Sequence, residues 1–305
     1  MEIKSDLKLL YKLDNWHGIY ALLVGYIIIL ISIIFVIYNH LLYPVALLVI
    51  ASRQRALATI QHEASHFVLA KNRLLNRILG DVFAGSLIFQ GFNTYMKSHV
   101  RCHHIFLGDK ENDPDYKYYL ELGLYRYRSQ SMTYSPIFKL LKITKYITTY
   151  IGYLFRTRIF MPQINIDTIT IIGINCVIIS MLFMLHLLIY YVLFWLIPLF
   201  IFFPIIGWFI EVAEHYPLVN DNDVDIYMTR NRFSHTVEAL FLSMHNENYH
   251  LVHHLKPGIP FWNLKKAHAV LLKDHNYMTI NNSMGGVFIS KNKEKTVFNL
   301  LLKNI

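Results

Sequence analysis

The residues in this sequence best suited to chemistry are its histidines, sixteen in all. Nine of them form a pattern. The first group is His62-Glu-Ala-Ser-His66, whose i, i+4 spacing puts two imidazoles one turn apart on one helix face. We set the zinc-protease motif H-E-x-x-H aside for this group on its spacing. The second, His99-Val-Arg-Cys-His103-His104, again pairs rings at i, i+4 and turns His104 about 100° away around the helix. That splay suits two metals better than one. The third, His250-Leu-Val-His253-His254, fits on a single turn, and His215 stands alone with Glu211 one turn before it. Neutral imidazole suits Zn, Cu, Fe and Ni, whereas a zinc hydrolase uses three or four protein ligands. Eight or nine exceed the needs of one ion. The pattern therefore asks for two metals, with redox-capable iron the leading choice.

The elements that must hold these rings are set by where charge is missing. No Asp, Glu, Lys or Arg occurs in about 38 residues from Asn15 to Ser52, nor in about 43 from Thr168 to Ile210. One bilayer crossing takes about 20 apolar residues, so each run predicts a hairpin of two spans. We expect spans over 19–38, 41–59, 166–186 and 189–207. The fold class is then an all-α integral membrane protein, with four transmembrane helices as two hairpins and a cytoplasmic helical cap carrying the histidines. Lys and Arg crowd one side, among them Arg53, Arg55, Lys71, Arg73, Arg77, Arg126, Arg128, Lys139, Lys142, Lys145, Arg156 and Arg158. The positive-inside rule places that side, and both termini, in the cytoplasm.

The same distribution accounts for the net charge of +9. Basic residues spread over membrane-flanking loops, with no nucleic-acid motif, exclude nucleic acid as a partner. Residues 1–305 read as a single domain, with cytoplasmic blocks over 60–165 and 211–305. The first apolar run is too long for a signal-peptide core, and Trp16 reads as an interfacial anchor. Cys102 lies in a polar segment and Cys176 in a span, so no disulfide is expected. Ser135–Phe160 looks amphipathic, with Lys139, Lys142 and Lys145 at threes, suited to a headgroup plane or to packing on a cap. The acidic stretch Asp109–Asp115 lacks EF-hand spacing and reads as a solvated loop. Arg230 and Arg232 read as loop residues facing solvent or an anionic headgroup, and His245 as a neighbour of the third group.

Taken together, the three groups, HxxxH, HxxxHH and HxxHH, resemble the histidine boxes of the membrane fatty acid desaturase superfamily. Around the third, Asn248-Tyr249-His250-Leu-Val-His253-His254-Leu255-x-Pro257-x-x-Pro260 looks like that family's NYHxxHHLxPxxP signature. The resemblance runs from about Leu57 to His268. It implies that His62, His66, His99, His103, His104, His250, His253 and His254 are iron ligands, and that His215 matches an additional ligand after the last span. Where acyl-CoA desaturases have Asn one turn earlier, this chain has Glu211, which is then either a direct ligand or an acceptor of a hydrogen bond from one. Val252 also stands where the frequent HIEHH form has Glu. The stretch Glu214-His-Tyr-Pro217 and the segment His245–His268 look similar to a bacterial subgroup that includes dihydrorhizobitoxine desaturase. That subgroup implies a small amino-acid-derived substrate and the inner membrane of a bacterium.

The function so implied is O2-dependent desaturation of a fatty acyl or related aliphatic chain at two Fe ions, with O2 as co-substrate. No flavin or NAD fingerprint and no fused cytochrome b5 motif is visible, which implies a separate electron donor of ferredoxin or cytochrome b5 type. A hydroxylase or ketolase on the same di-iron scaffold is the first alternative, because ligand spacing does not distinguish it. A zinc-dependent membrane lipid hydrolase is the second, and the number of histidines argues against it. A metal transporter would carry polar ligands inside its spans, where this chain has few.

Overall fold

A computed structural model describes residues 2–125, 135–159, 164–221, 225–281, 285–291 and 294–304. Arg126, Arg128 and Phe160, named above, lie outside the described residues. Regular structure among those described is helical, apart from one isolated bridge between Ser234 and Ser290. Helix α1 (Glu2–Leu10) precedes α2 (His17–Tyr38) and α3 (Tyr43–Ser65). Next come α4 (Pro114–Glu121), α5 (Pro136–Leu154) and α6 (Ile166–Met184). A long interrupted helix, α7 (Leu188–His215), follows, then α8 (His250–Leu255) and α9 (Phe261–Leu271).

Four helices are long and apolar enough to cross a membrane: α2, α3 with its preceding turn from His40, α6 and α7. Their surfaces point the same way. Leu23, Ile27, Leu30 and Phe35 on α2, and Ile169, Ile172, Val177 and Phe183 on α6, are exposed. A helix in water turns its apolar stripe inward, so these outward faces call for lipid. Asn39 ends the first of them, its side chain accepting from Leu41 N at 3.1 Å, and Pro44 opens α3 where a missing N–H costs nothing.

Two helices run on beyond the expected spans. α3 continues from residue 59 to Ser65, and α7 continues from residue 207 to His215. Charge marks where a helix leaves lipid, but only a breaker or a lost hydrogen bond ends it. In α3 that point comes at Phe67, which takes a positive φ of 60°. The extensions matter because they carry His62, Glu211 and His215.

Inside α7 the backbone widens into two π-turns, Val192–Leu196 and Pro198–Phe202. Pro198 has no N–H to give, and the carbonyl of Leu193, five residues earlier, instead accepts from Tyr43 Oη at 2.9 Å. Gln54 Nε2 likewise donates to Trp195 O at 2.8 Å. Side chains of α3 thus satisfy the irregular backbone of α7, as an apolar surround requires.

α5 corrects part of the amphipathic reading. Its buried face is Ile143, Tyr146, Tyr150 and Leu154, whereas Ile137, Leu140 and Leu141 are exposed beside the lysines. Tyr150 reaches α7 and the site, donating to Glu211 at 2.6 Å, whereas Tyr146 donates to Gly123 O.

Candidate metal centre

Box one sits on the last turn of α3, with His66 as its C-cap. Box two departs from the expected geometry, because Met96–His103 is a π-helix. The bond from His104 N to His99 O, 3.0 Å, spans five residues. It accompanies an edge-on meeting of His99 and His104, whose rings stand at 85° with their Nε2 atoms 3.1 Å apart. π-turns recur at functional sites. The entry to this helix is fixed by Asp167 at the start of α6, which accepts from Asn93 N and Thr94 N at 3.1 and 2.7 Å. Box three lies on α8, and His215 closes α7.

The nine imidazoles meet as two groups. Ring nitrogens of His62, His66, His99, His104 and His253 lie within 4.8 Å of one another, as do those of His103, His215 and His254. His250 completes the second group, its Nε2 3.0 Å from the Nε2 atoms of both His215 and His254. The parallel rings of His104 and His254, 4.2 Å apart, join the two. His103 and His104 fall in different groups, although His103 also lies with His99 and Asp115, their ligand atoms within 4.8 Å of one another.

These spacings fit metal ions better than hydrogen bonds. His104 Nε2 lies 3.1 Å from the Nε2 atoms of both His99 and His253. A ring nitrogen has one hydrogen or one lone pair in its plane, so it can serve one such contact and not two. Nitrogens bound at right angles to one ion at about 2.1 Å stand about 3.0 Å apart. His66 Nε2, buried within the first group, has no hydrogen-bond partner. The donor set, imidazole nitrogen throughout, is of the kind iron accepts.

What orients the rings was largely hidden in the sequence. His103 Nδ1 donates to Asp113 Oδ1 at 3.1 Å, and His215 Nδ1 donates to the carbonyl of Met228 at 3.2 Å. Acceptors of this kind fix the tautomer that leaves Nε2 free for a metal. Asp109, Lys110, Glu111 and Asn112 are exposed, as expected of a solvated loop, but the expectation fails at Asp113. It is fully buried and caps α4, accepting from Asp115 N and Tyr116 N. The available signal was Asp113-Pro114, an N-cap followed by proline at the first helical position.

Burial sets the protonation of most rings outside the spans. Desolvation disfavours imidazolium, holding His99, His250, His253 and His254 well below the usual histidine value and His66 down to about 4. His103 is the exception. Burial acts to lower it too, but the hydrogen bond and charge of Asp113, with Asp115 behind, push it up to about 9.

Box one does spell H-E-x-x-H at the protease spacing, so spacing was no ground for setting that motif aside. Glu63 separates them. A protease needs this carboxylate free as a general base on the metal's water. Here its Oε2 accepts from Phe261 N at 2.8 Å and its Oε1 lies 3.2 Å from His62 Nδ1. It orients a ring and ties α3 to α9.

Glu211 belongs to neither imidazole group. Its carboxylate accepts from Tyr150 Oη at 2.6 Å and Tyr119 Oη at 3.1 Å. His245 is half-buried beside Phe261, with a positive φ of 52°. Arg230 and Arg232 are buried and not solvated. Arg232 pairs with Glu214 at 3.2 Å, and Arg230 donates to Tyr216 O. Cys102 and Cys176 are free thiols.

Beside the imidazoles opens a cavity of about 330 Å³, lined by His62, His99, His103, His215, His250 and His253 and walled by Tyr95, Tyr118, Tyr119 and Tyr150. The fatty acid desaturase family profile matches residues 38–279, which include all nine histidines. The chain belongs to the fatty acid desaturase family. Dihydrorhizobitoxine desaturase of Bradyrhizobium elkanii is a relative, 37% identical over 262 residues that cover 81% of this chain and 73% of that one. Like that relative, this desaturase-family chain is an oxidoreductase by kinship. The boxes by which the family was suspected are the residues its fold gathers.

Proposed function

We propose that this chain is an O2-dependent desaturase whose nine histidines hold two iron ions and which introduces a carbon–carbon double bond into an aliphatic chain. The observation that carries the reading is the gathering of the imidazoles into two groups whose nitrogens converge at metal-ligand spacing. His62, His66, His99, His104 and His253 would hold one ion. His103, His215, His250 and His254 would hold the other, with Glu211 close by as a ligand or an acceptor. Bound iron would supply activation of O2 and oxidation of an unactivated C–H bond. The chain's own work is to orient the rings through Asp113, Glu63 and Met228, to position two adjacent CH2 groups in the cavity, and to limit water there.

Both a fatty acyl chain and a small amino-acid-derived compound, the latter suggested by the relative's name, are candidate substrates. The cavity wall favours the smaller, more polar one. Glu247 Oε1, Gln90 Oε1 and Tyr118 Oη line the cavity, buried and without hydrogen-bond partners. A bare hydrocarbon would leave such atoms unsatisfied at a cost of about 1–3 kcal/mol each.

The rest of the reading is architectural. Residues 1–305 form one domain, with α2–α3 and α6–α7 as two membrane hairpins and the imidazoles in a cytoplasmic cap. The membrane is a bacterial inner membrane, and a separate ferredoxin or cytochrome b5-type protein donates electrons.

Elemental analysis of the purified protein, followed by mass spectrometry of the product, tests the proposal. About two irons per chain and a product lighter by two hydrogens are expected. A product heavier by one oxygen would make this a hydroxylase. One zinc and no iron, after iron-replete expression, would remove the oxidative reading altogether.

A further inference from the structure

We propose that electrons enter where Trp16, His17 and Trp262 stack, and that this face docks a small acidic protein carrying one electron at a time. The inference rests on the oxidative reading above, which needs a reductant but does not say where it binds. Trp16 is 57% exposed. Its ring lies 3.5 Å from that of His17, which lies nearly parallel to Trp262 at 4.4 Å and 5°. Trp262 is bonded to Phe261, whose N–H donates to Glu63, whose other oxygen meets His62 Nδ1. Three stacked rings, one peptide link and two hydrogen bonds thus run unbroken from the surface to an imidazole of the first group.

The exposed charges around this stack are mostly basic. The leader is stitched to α9 and to the loop after box one. Asn263 Nδ2 donates to Leu10 O at 2.9 Å, Lys71 N to Asp14 O at 2.8 Å, and Asn72 N to Asn15 Oδ1 at 2.8 Å. Lys8, Lys12, Lys71, Arg73, Lys265 and Lys266, all on these joined segments, are exposed. The acids there are engaged, Asp14 with His17 at 2.6 Å and Asp6 with Lys273 at 2.9 Å. A basic face steers an acidic partner. Anionic lipid headgroups share that attraction, since α2 begins at His17. A headgroup, however, gives no reason for an aromatic stack leading to a metal-ligand histidine, so the protein carrier is favoured.

The balance is simple. Each turnover takes O2, two electrons, two solvent protons and the two hydrogens removed from the substrate, and yields the alkene and two waters. The carrier is oxidised by one electron in each of two encounters. The rings bridge the transfer and are themselves neither oxidised nor reduced.

The test uses the full-length iron-loaded protein in lipid nanodiscs and a reduced plant-type [2Fe–2S] ferredoxin, mixed without O2. Ferredoxin reoxidation is followed by its own absorbance, and Kd is measured separately. Lys265→Glu with Lys266→Glu is expected to raise Kd by about tenfold and leave the saturated rate alone. Trp262→Leu is expected to lower the saturated rate by about tenfold, with Kd and iron content unchanged, and Trp262→Phe to restore most of it. Should Trp262→Leu fail to fold, Trp16→Leu at the exposed end must slow the same rate. Unchanged rates in iron-replete tryptophan variants would overturn the path. Charge reversals that spare Kd but weaken binding to phosphatidylserine vesicles would make the face a lipid contact and overturn the docking. Wild-type protein without iron would instead remove the oxidative reading, while the Kd comparison still judges the docking surface.

Discussion

The two imidazole groups are built differently. The first draws on all three boxes, and Glu63 lies 3.2 Å from its His62 Nδ1. His66 Nε2 and His253 Nδ1 in it are buried without hydrogen-bond partners. The second is laced with acceptors: Asp113 on His103, Met228 O on His215, and Glu214 3.5 Å from His250 Nδ1. Outer acceptors raise ligand basicity, so an ion in the second group would meet the more electron-rich donors. The lesson is that a near-symmetric set of histidines makes an asymmetric centre.

Removing a ring should produce the largest effect and expose the asymmetry. His104 touches both its own group and, through stacking, His254 of the other. His104→Ala is expected to abolish product formation and to lower iron from about two per chain to one or fewer. Elemental analysis beside His66→Ala, a ring whose contacts are with its own group, sharpens the point. Equal iron loss in both would mean that the stack between groups couples nothing.

Smaller, and confined to the second group, is Asp113→Asn. The amide keeps the shape and can still accept from His103 Nδ1, but loses the charge. A loss of about 10–100-fold in affinity for one of the two ions is expected, from the usual weight of such outer partners. Competition with a chelator measures it. Loss of both ions together would show that the groups fill as a unit and would erase the distinction drawn here.

The sequence made the rings legible and left their supports obscure, for physical reasons. Helical spacing brought His62 with His66 and His250 with His254, because side-chain direction follows residue number in a helix. Charge-free runs located four apolar helices for a similar reason. The π-register that pairs His99 with His104 was not legible, since the choice between i−4 and i−5 bonds is made by the packing of Asp167 against Asn93 and Thr94. Nor was the burial of Asp113, Arg230 and Arg232. A charged residue in a loop is exposed unless a partner far along the chain covers it, and Glu214 covers Arg232 from another helix. The role of Glu63 was not legible either, since its partners, Phe261 N and His62 Nδ1, are set by the packing of α9 on α3 and not by spacing.

Glu211→Gln should affect neither group's metal content if its role is the one its contacts suggest, holding Tyr119 and Tyr150 at the cavity wall. The amide oxygen can accept only one of the two phenols as well as the carboxylate did. A rise in KM with two irons retained is the expected outcome. Loss of one iron would instead make Glu211 a ligand and give the second group a carboxylate that the first lacks.

The smallest expected effect lies far from both groups, at Tyr43. Its hydroxyl donates to the Leu193 carbonyl that Pro198 leaves without an N–H. Tyr43→Phe keeps the ring packed edge-on against Phe194 and removes only that bond. In an apolar surround the net worth of such a bond is about 0.5–1.5 kcal/mol, so a fall of a few degrees in the unfolding midpoint in detergent is expected, with iron content unchanged. An unchanged midpoint would mean that the π-turn finds another donor for Leu193. If iron were lost as well, the irregular stretch of α7 would have to be fixing the height of His215, and the second group would depend on the membrane span in a way the first does not.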